Sequence, residues 1–436
     1  MQKNVPLIDI VDDARNQYVA ARPKSAAIHG EACKHLPGGN TRTVLYYGPF
    51  PLRAERGEGA YIWDVDGNRH LNLLGEYTAG VFGHSHPVIM DSIQRALSGG
   101  VNLSAHSEAE ARLGALVTER FPALESVRFT NSGTEANLMA VATARHATGR
   151  TKIMVFHGGY HGGLLAFGDG GIPINAPYEF IVAPYNDIEA TRALIQENAD
   201  ALSCVLLEAM LGTGGCIPAT EAFLKMIREE TKTAGALMIL DEVMTSRFGR
   251  HGAGALAGVT PNLMTIGKWV AGGMTFGAYG GRRDLMAIYD PGAPGAMPHA
   301  GTFNNNIVSM TAGVTALGDV FTSDAAEELH ARGERLRKRL NDTFERHDVA
   351  LHFSGKGSLM NLHGMTGPVE SPRDLIHSDD RLKELVFFDL LERGYYMARR
   401  GFIALTMVVT DEELDGFVAA LEDVLDHRRA VLPPRK

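Results

Sequence analysis

Leu263-Met264-Thr265-Ile266-Gly267-Lys268 sets one lysine directly behind a short apolar run and ahead of the glycine-rich Trp269-Val270-Ala271-Gly272-Gly273-Met274. The apolar run reads as a buried strand, and the glycines that follow are too frequent for a stable helix. A lysine at such a strand end is either an ordinary surface charge or a group that faces a site and not bulk water. Desolvation there disfavours the ammonium, lowers the pKa and leaves an amine able to attack a carbonyl.

Four further strands of the same kind lie upstream, at 127–130, 153–156, 204–207 and 236–240, each separated from the next by a helical segment. Apolar strands alternating with helices from about 105 to 320 predict an α/β fold with a mainly parallel sheet covered on both faces. Each strand runs into polar or glycine residues: Asn131-Ser132-Gly133-Thr134, His157-Gly158-Gly159-Tyr160, Glu208, Asp241-Glu242 and Gly267-Lys268. Ligands of open α/β sheets bind outside the carboxyl ends of the strands, so five strand ends aim chemistry at one edge.

At that edge Ser132, Gly133 and Thr134 open a helix expected over 135–147, and they serve either as an ordinary N-cap or as an anion site for a phosphate. Asp241 is either an N-cap or a buried carboxylate awaiting a cation such as a protonated ring nitrogen. Tyr160 offers an aromatic face on a loop too rich in glycine to be helical. His157 and His161 have a spacing that suits a metal only on a helix, so no metal is expected. Phosphate cradle, aromatic plate, carboxylate and amine together describe a site for pyridoxal 5'-phosphate, in which the lysine forms the Schiff base and the protonated ring accepts electrons from a carbanion.

The chain flanking this core has a different texture. Residues 9–36 read as helical with a break at Pro23, Pro37-Gly38-Gly39-Asn40 as a loop, and 60–65 with 69–73 as a hairpin around Asp66-Gly67. Beyond 320, a helix over 324–346 opens with a capping-box spacing at Asp324 and Glu327. Short strands follow at 350–353, 358–363 and 402–407, and a last helix begins at Thr410 with Glu413 three residues on. The expected division is 1–74 as an N-terminal contribution to a small α+β domain, 75–322 as the large cofactor domain, and 323–436 as the rest of the small domain.

With 436 residues, 45% apolar and 21% charged, the composition is that of a globular protein, and the net charge of -9 argues against nucleic acid or an anionic membrane as partner. Cys33, Cys204 and Cys216 are odd in number and widely spaced, which fits neither a disulfide framework nor a zinc site. Residues 1–6 carry no apolar leader core and no run of about 18 apolar residues occurs, so a cytoplasmic location is expected.

The motifs Gly83-His84-Ser85-His86-Pro87, Asn131 to Ala136, Tyr160-His161-Gly162, Asp241-Glu242-Val243-Met244, Gly267-Lys268 and Gly301-Thr302 resemble the class III aminotransferases, pyridoxal-phosphate enzymes of fold type I, over nearly the whole chain. The resemblance implies that Lys268 is the Schiff-base lysine and proton shuttle, that Asp241 pairs with the pyridinium, and that Tyr160 and Val243 take opposite faces of the ring. It further implies that Ser132, Gly133 and Thr134 hold the phosphate, with Glu208 at the third strand end, and that Thr302 reaches the phosphate of the neighbouring subunit of a homodimer.

Two branches compete. Pro37-Gly38-Gly39-Asn40 and the Asp241 motif resemble glutamate-1-semialdehyde aminomutase, whereas 40–47, Glu76 to Gly80, Met244-Thr245-Ser246-Arg247 and Gly301 to Asn306 resemble the β-amino acid (β-phenylalanine) aminotransferases more closely. By resemblance Arg42 binds the substrate carboxylate. Arg400 is either a solvated charge beside Arg399 or the arginine for a keto acid acceptor such as 2-oxoglutarate or pyruvate. Tyr77, Tyr46, Tyr47 and Phe50 either wall an apolar pocket or pack in the core. One departure stands out: the family's Glu-Pro pair is Glu208-Ala209 here, which leaves Glu208 less firmly placed. Transamination of a β-amino acid is the first expectation, the aminomutase reaction the alternative, and a non-catalytic cofactor-binding scaffold a further one.

Overall fold

The computed structural model describes residues 6–168 and 170–435. Its centre is a seven-stranded sheet of β1 (Ser126–Thr130), β2 (Lys152–Phe156), β3 (Glu179–Ala183), β4 (Leu202–Glu208), β5 (Leu237–Asp241), β6 (Leu263–Gly267) and β7 (Gly277–Gly281), in the order β1-β7-β6-β5-β4-β2-β3. Pairs β6-β5, β5-β4, β4-β2 and β2-β3 are parallel, and β7 runs antiparallel to both its neighbours. Strands β4, β5 and β6 are buried throughout, as their unbroken apolar runs require when helices cover both faces.

Sequence reading found five of these strands and missed two. Strand β7 is Gly-Ala-Tyr-Gly-Gly, which reads as a turn. The glycines are there for close approach: a Cβ on Gly277 would lie 2.1 Å from the Ser132 carbonyl oxygen, and one on Gly281 2.1 Å from that of Asn262. β3 follows a glycine- and proline-rich stretch and carries no chemistry at its end.

The two ends of the chain meet in a four-stranded sheet, where Ala54–Glu58, Tyr61–Asp64 and Arg69–Asn72 are joined by Tyr395–Tyr396. A three-stranded sheet of His352–Lys356, Leu359–His363 and Phe402–Ala404 lies beside the helix Ser323–Arg346, on which the helix Asp411–His427 packs. The second of those helices carries the expected capping box at Thr410 and Glu413. The first does not: its cap is Thr322, whose hydroxyl accepts from the Ala325 N–H, so Asp324 lies inside the helix. Threonine two residues upstream does the same task with the same spacing. No helix among the described residues is long and apolar enough to cross a membrane.

Candidate active site at the carboxyl edge of the sheet

Strand β6 ends at Gly267, and Lys268 turns out of the sheet at φ +56° into a single 3₁₀ turn, Lys268–Ala271, closed by Gly272 in the left-handed region. The turn anchors on Trp269, which is fully buried and donates to Ser246 Oγ (3.0 Å). Lys268 Nζ donates to the carbonyl of Tyr77 at 2.7 Å. Burial lowers the amine's pKa to about 8, against the opposing pull of Asp241 and Glu208.

Asp241, at the end of β5, is 5% exposed. Its Oδ2 accepts from Asn137 Nδ2 (2.8 Å) and from His161 Nδ1 (2.7 Å), and its Oδ1 accepts from the Val243 N–H (3.0 Å). Asn137 is itself fixed, since its Oδ1 accepts from Thr265 Oγ1 at 2.7 Å. Four elements therefore aim one carboxylate. Sequence reading took Tyr160-His161-Gly162 for its tyrosine alone and missed both His161 and Asn137. A buried asparagine between Ala136 and Ala140 on an apolar helix face was the available signal.

The helix Gly133–Thr148 starts directly after β1, and Ser132 Oγ accepts from the Glu135 N–H at its cap. The first N–H groups of a helix have no partner within it, and they add to its positive end. Two glycines keep this end bare. A Cβ on Gly133 would meet both methyls of Val243 at 2.9 Å, and one on Gly162, at φ +123°, would lie 2.1 Å from Thr134 Oγ1.

These elements enclose a cavity of ≈ 190 Å³ lined by Gly133, Thr134, Tyr160, Glu208, Asp241, Val243 and Lys268. Ser132 is not among the residues lining it, and its hydroxyl caps the helix. Thr302 lies elsewhere, with residues 101–107, on a second cavity of ≈ 510 Å³. Glu208 is buried, its carboxyl receives the Gly212 N–H, and burial next to Asp241 holds its pKa well above the carboxylate range. Alanine at 209 has not moved it out of the site.

Arg42 precedes the short turn Thr43–Leu45 and Arg400 the strand Phe402–Ala404, and neither lines the cavity itself. Arg42 Nη1 pairs with Glu76 Oε1, both side chains half exposed. The Arg400 guanidinium lies over the Tyr77 ring at 5.2 Å and the Phe402 ring at 5.5 Å. Tyr77 stacks on Phe402 and donates through its hydroxyl to the Val44 carbonyl (2.9 Å). Of the other aromatics, Tyr47 and Phe50 belong to the core around Tyr18 and Phe388, and only Tyr46 is exposed.

A deprotonatable amine, a fixed carboxylate, an aromatic ring, a valine and a bare helix start border one cavity. This donor set fits pyridoxal phosphate: the amine for its carbonyl, Asp241 for its ring nitrogen, and the Gly133-Thr134 start for its phosphate. Residues 46–425 match the class-III aminotransferase family. The chain is 48% identical over 421 residues to the β-phenylalanine transaminase of Variovorax paradoxus, covering 97% of each protein. It is 35% identical over 420 residues to the glutamate-1-semialdehyde 2,1-aminomutase of Heliobacterium modesticaldum, covering 92% of this chain and 96% of that one. A crystal structure of a β-phenylalanine aminotransferase from Variovorax paradoxus superposes with a TM-score of 0.97 at 47% identity, over 99% of this chain and 100% of that one.

Proposed function

The chain belongs to the class III aminotransferases, which work with pyridoxal 5'-phosphate, and within that family we propose that it moves the amino group of a β-amino acid such as β-phenylalanine to a keto acid such as 2-oxoglutarate or pyruvate. Bound cofactor supplies an electron sink for the carbanion left when the substrate carbon loses its proton. With the cofactor bound, Lys268 Nζ would be the amine that holds it and, when free, would carry the proton removed from the substrate carbon. Asp241, steadied by Asn137 and His161, holds the ring nitrogen's proton. Tyr160 and Val243 would pack on the ring, Gly133 and Thr134 with the Ser132 backbone would hold the phosphate, and Glu208 borders the cavity from β4.

Arg42 takes the donor's carboxylate and Arg400 serves the acceptor acid, with Tyr77 beside Arg400. The reaction runs as a ping-pong exchange in a homodimer whose Thr302 completes the neighbouring site, and the chain divides into 1–74, 75–322 and 323–436. The observation that carries this reading is the buried Lys268 amine, its pKa drawn to about 8, in one cavity with Asp241. The aminomutase relative keeps a second reading open, in which one molecule is both donor and acceptor. Purified holoenzyme with β-phenylalanine and 2-oxoglutarate should produce glutamate. No glutamate, with conversion of glutamate-1-semialdehyde, would overturn the proposal in favour of the aminomutase.

A further inference from the structure

Residues Gly75, Glu76, Tyr77 and Thr78 form one turn in which all four have positive φ, at 52°, 50°, 49° and 82°. For residues with a side chain this conformation costs roughly 1–2 kcal/mol each, and such strain persists only where the surroundings enforce it. The surroundings do so here. Gly75 sits against the Ala404 carbonyl, where a Cβ would come within 2.5 Å, and the Tyr77 hydroxyl is tied to Val44 in the loop that carries Arg42.

This strained turn meets every cation of the site. Glu76 carries its carboxylate to Arg42, the next carbonyl, Tyr77 O, accepts from Lys268 Nζ, and the Tyr77 ring lies under Arg400. Arg42 and Arg400 are both near enough for their charge to act on the Lys268 amine. The turn thus offers a carboxylate to Arg42, the group that a β-amino acid would address with its own carboxylate, and a carbonyl to Lys268.

We propose that Glu76 is a built-in competitor for the substrate carboxylate: it occupies Arg42 in the resting site, must be displaced when a carboxylate-bearing donor binds, and so sets the KM for such donors. The inference rests on the reading of Arg42 as the carboxylate-binding arginine. Glu76 is a specificity-determining residue here, acting through Arg42 without touching the reacting atoms. Because the pair is half exposed, its displacement has a modest cost, and the expected effect is about two- to five-fold.

The test uses holoenzyme and three variants. Glu76→Gln keeps the shape and removes the charge. Glu76→Asn also removes the charge, on a shorter side chain whose backbone tolerates left-handed φ, which guards against a folding artefact. Arg42→Gln tests the underlying reading. Both Glu76 variants should lower the KM for β-phenylalanine two- to five-fold while kcat changes less. They should likewise lower the inhibition constant of 3-phenylpropanoate, and leave that of the uncharged 3-phenylpropanamide unmoved. Arg42→Gln should raise the KM and the inhibition constant of the carboxylate. If Arg42→Gln does so while neither Glu76 variant lowers them, or if the amide responds as the carboxylate does, the competitor role is wrong. If Arg42→Gln leaves both unchanged, the reading of Arg42 itself fails.

Discussion

Gly162 and Gly163 are adjacent, yet the structure assigns them opposite tolerance to alanine. Gly162 has φ +123°, where side chains are rarely accommodated, and an added Cβ would lie 2.1 Å from Thr134 Oγ1, 2.5 Å from its Cβ and 2.6 Å from its Cγ2. Gly163 has nothing within 4 Å. For Gly162→Ala the backbone term is about 1–3 kcal/mol and the overlap about 1–3 kcal/mol. Thr134 can relieve the overlap only by leaving the start of the helix. The cost then moves from folding to cofactor binding, where one lost hydrogen bond to a charged group is worth about 1.5–3 kcal/mol, or roughly ten- to a hundredfold in affinity. Apoprotein would be titrated with pyridoxal phosphate by fluorescence quenching, and melting followed for both variants. Gly162→Ala should weaken binding within that range, melt earlier, or both, while Gly163→Ala should match the parent within about 0.5 kcal/mol. Equal behaviour of the two variants would refute the placement of Thr134 against Gly162, and with it the geometry given for the phosphate cradle.

Lys268 gives a pH prediction whose sign follows from its lowered pKa. Below about pH 8 both the folded and unfolded chains hold the proton, and the buried ammonium is disfavoured; between 8 and the ordinary 10.5 the unfolded chain alone holds it, so apoprotein stability should rise across that window. Lys268→Met should flatten the rise, as read by denaturation at stepped pH. Carbonyl capture by the apoprotein should level off just above pH 8 and not near 10.5. Asp241→Asn removes one of the charges that keep the amine's pKa from falling further, so the same plateau should move to lower pH. It also sets an amide where His161 and Asn137 both donate, so turnover should fall sharply even in protein that retains cofactor.

The sheet and its working edge were legible because burial on both faces forces strands such as 204–207 and 236–240 to be apolar to their ends, so that the first polar residue announces the site. Lys268, Asp241, Thr134 and Tyr160 were found in this way, and all border one cavity. Strand β7 was illegible for the opposite reason: glycine there answers to neighbouring backbone, a requirement that leaves no periodic signal. His161 and Asn137 were missed because their role is to orient another side chain, and nothing in local spacing reveals a partner 80 or 104 residues away. The turn at 75–78 was also hidden. Only Gly75 among its four residues favours a positive φ, and the remaining strain is imposed by tertiary contacts.

Glu208 tests how far such tertiary placement substitutes for local sequence. The missing proline after it removes a local restraint, but Tyr185 donates to its carbonyl at 2.9 Å and Gly212 N–H to its carboxyl, so the strand end is fixed from two directions. Burial and the nearby Asp241 raise the pKa well above the usual range and so favour the protonated acid, which has one O–H to donate. A raised carboxyl pKa means that the folded chain keeps a proton the unfolded chain has released, so this group lowers stability as pH climbs from the ordinary value of 4.5 through its folded pKa. Glutamine mimics the protonated acid in shape and donor capacity without that liability. Glu208→Gln should therefore keep activity within about threefold of the parent, since a preserved hydrogen bond leaves under about 1 kcal/mol to lose, and at pH 8 it should melt no lower. Glu208→Ala instead strands the Gly212 N–H and opens a void, which costs about 1–3 kcal/mol for the orphaned donor alone. Melting curves and donor kinetics at pH 6 and pH 8 separate the cases. If Glu208→Gln is as damaging as Glu208→Ala at both pH values, the residue acts as a carboxylate, and the upward shift of its pKa beside Asp241 is wrong.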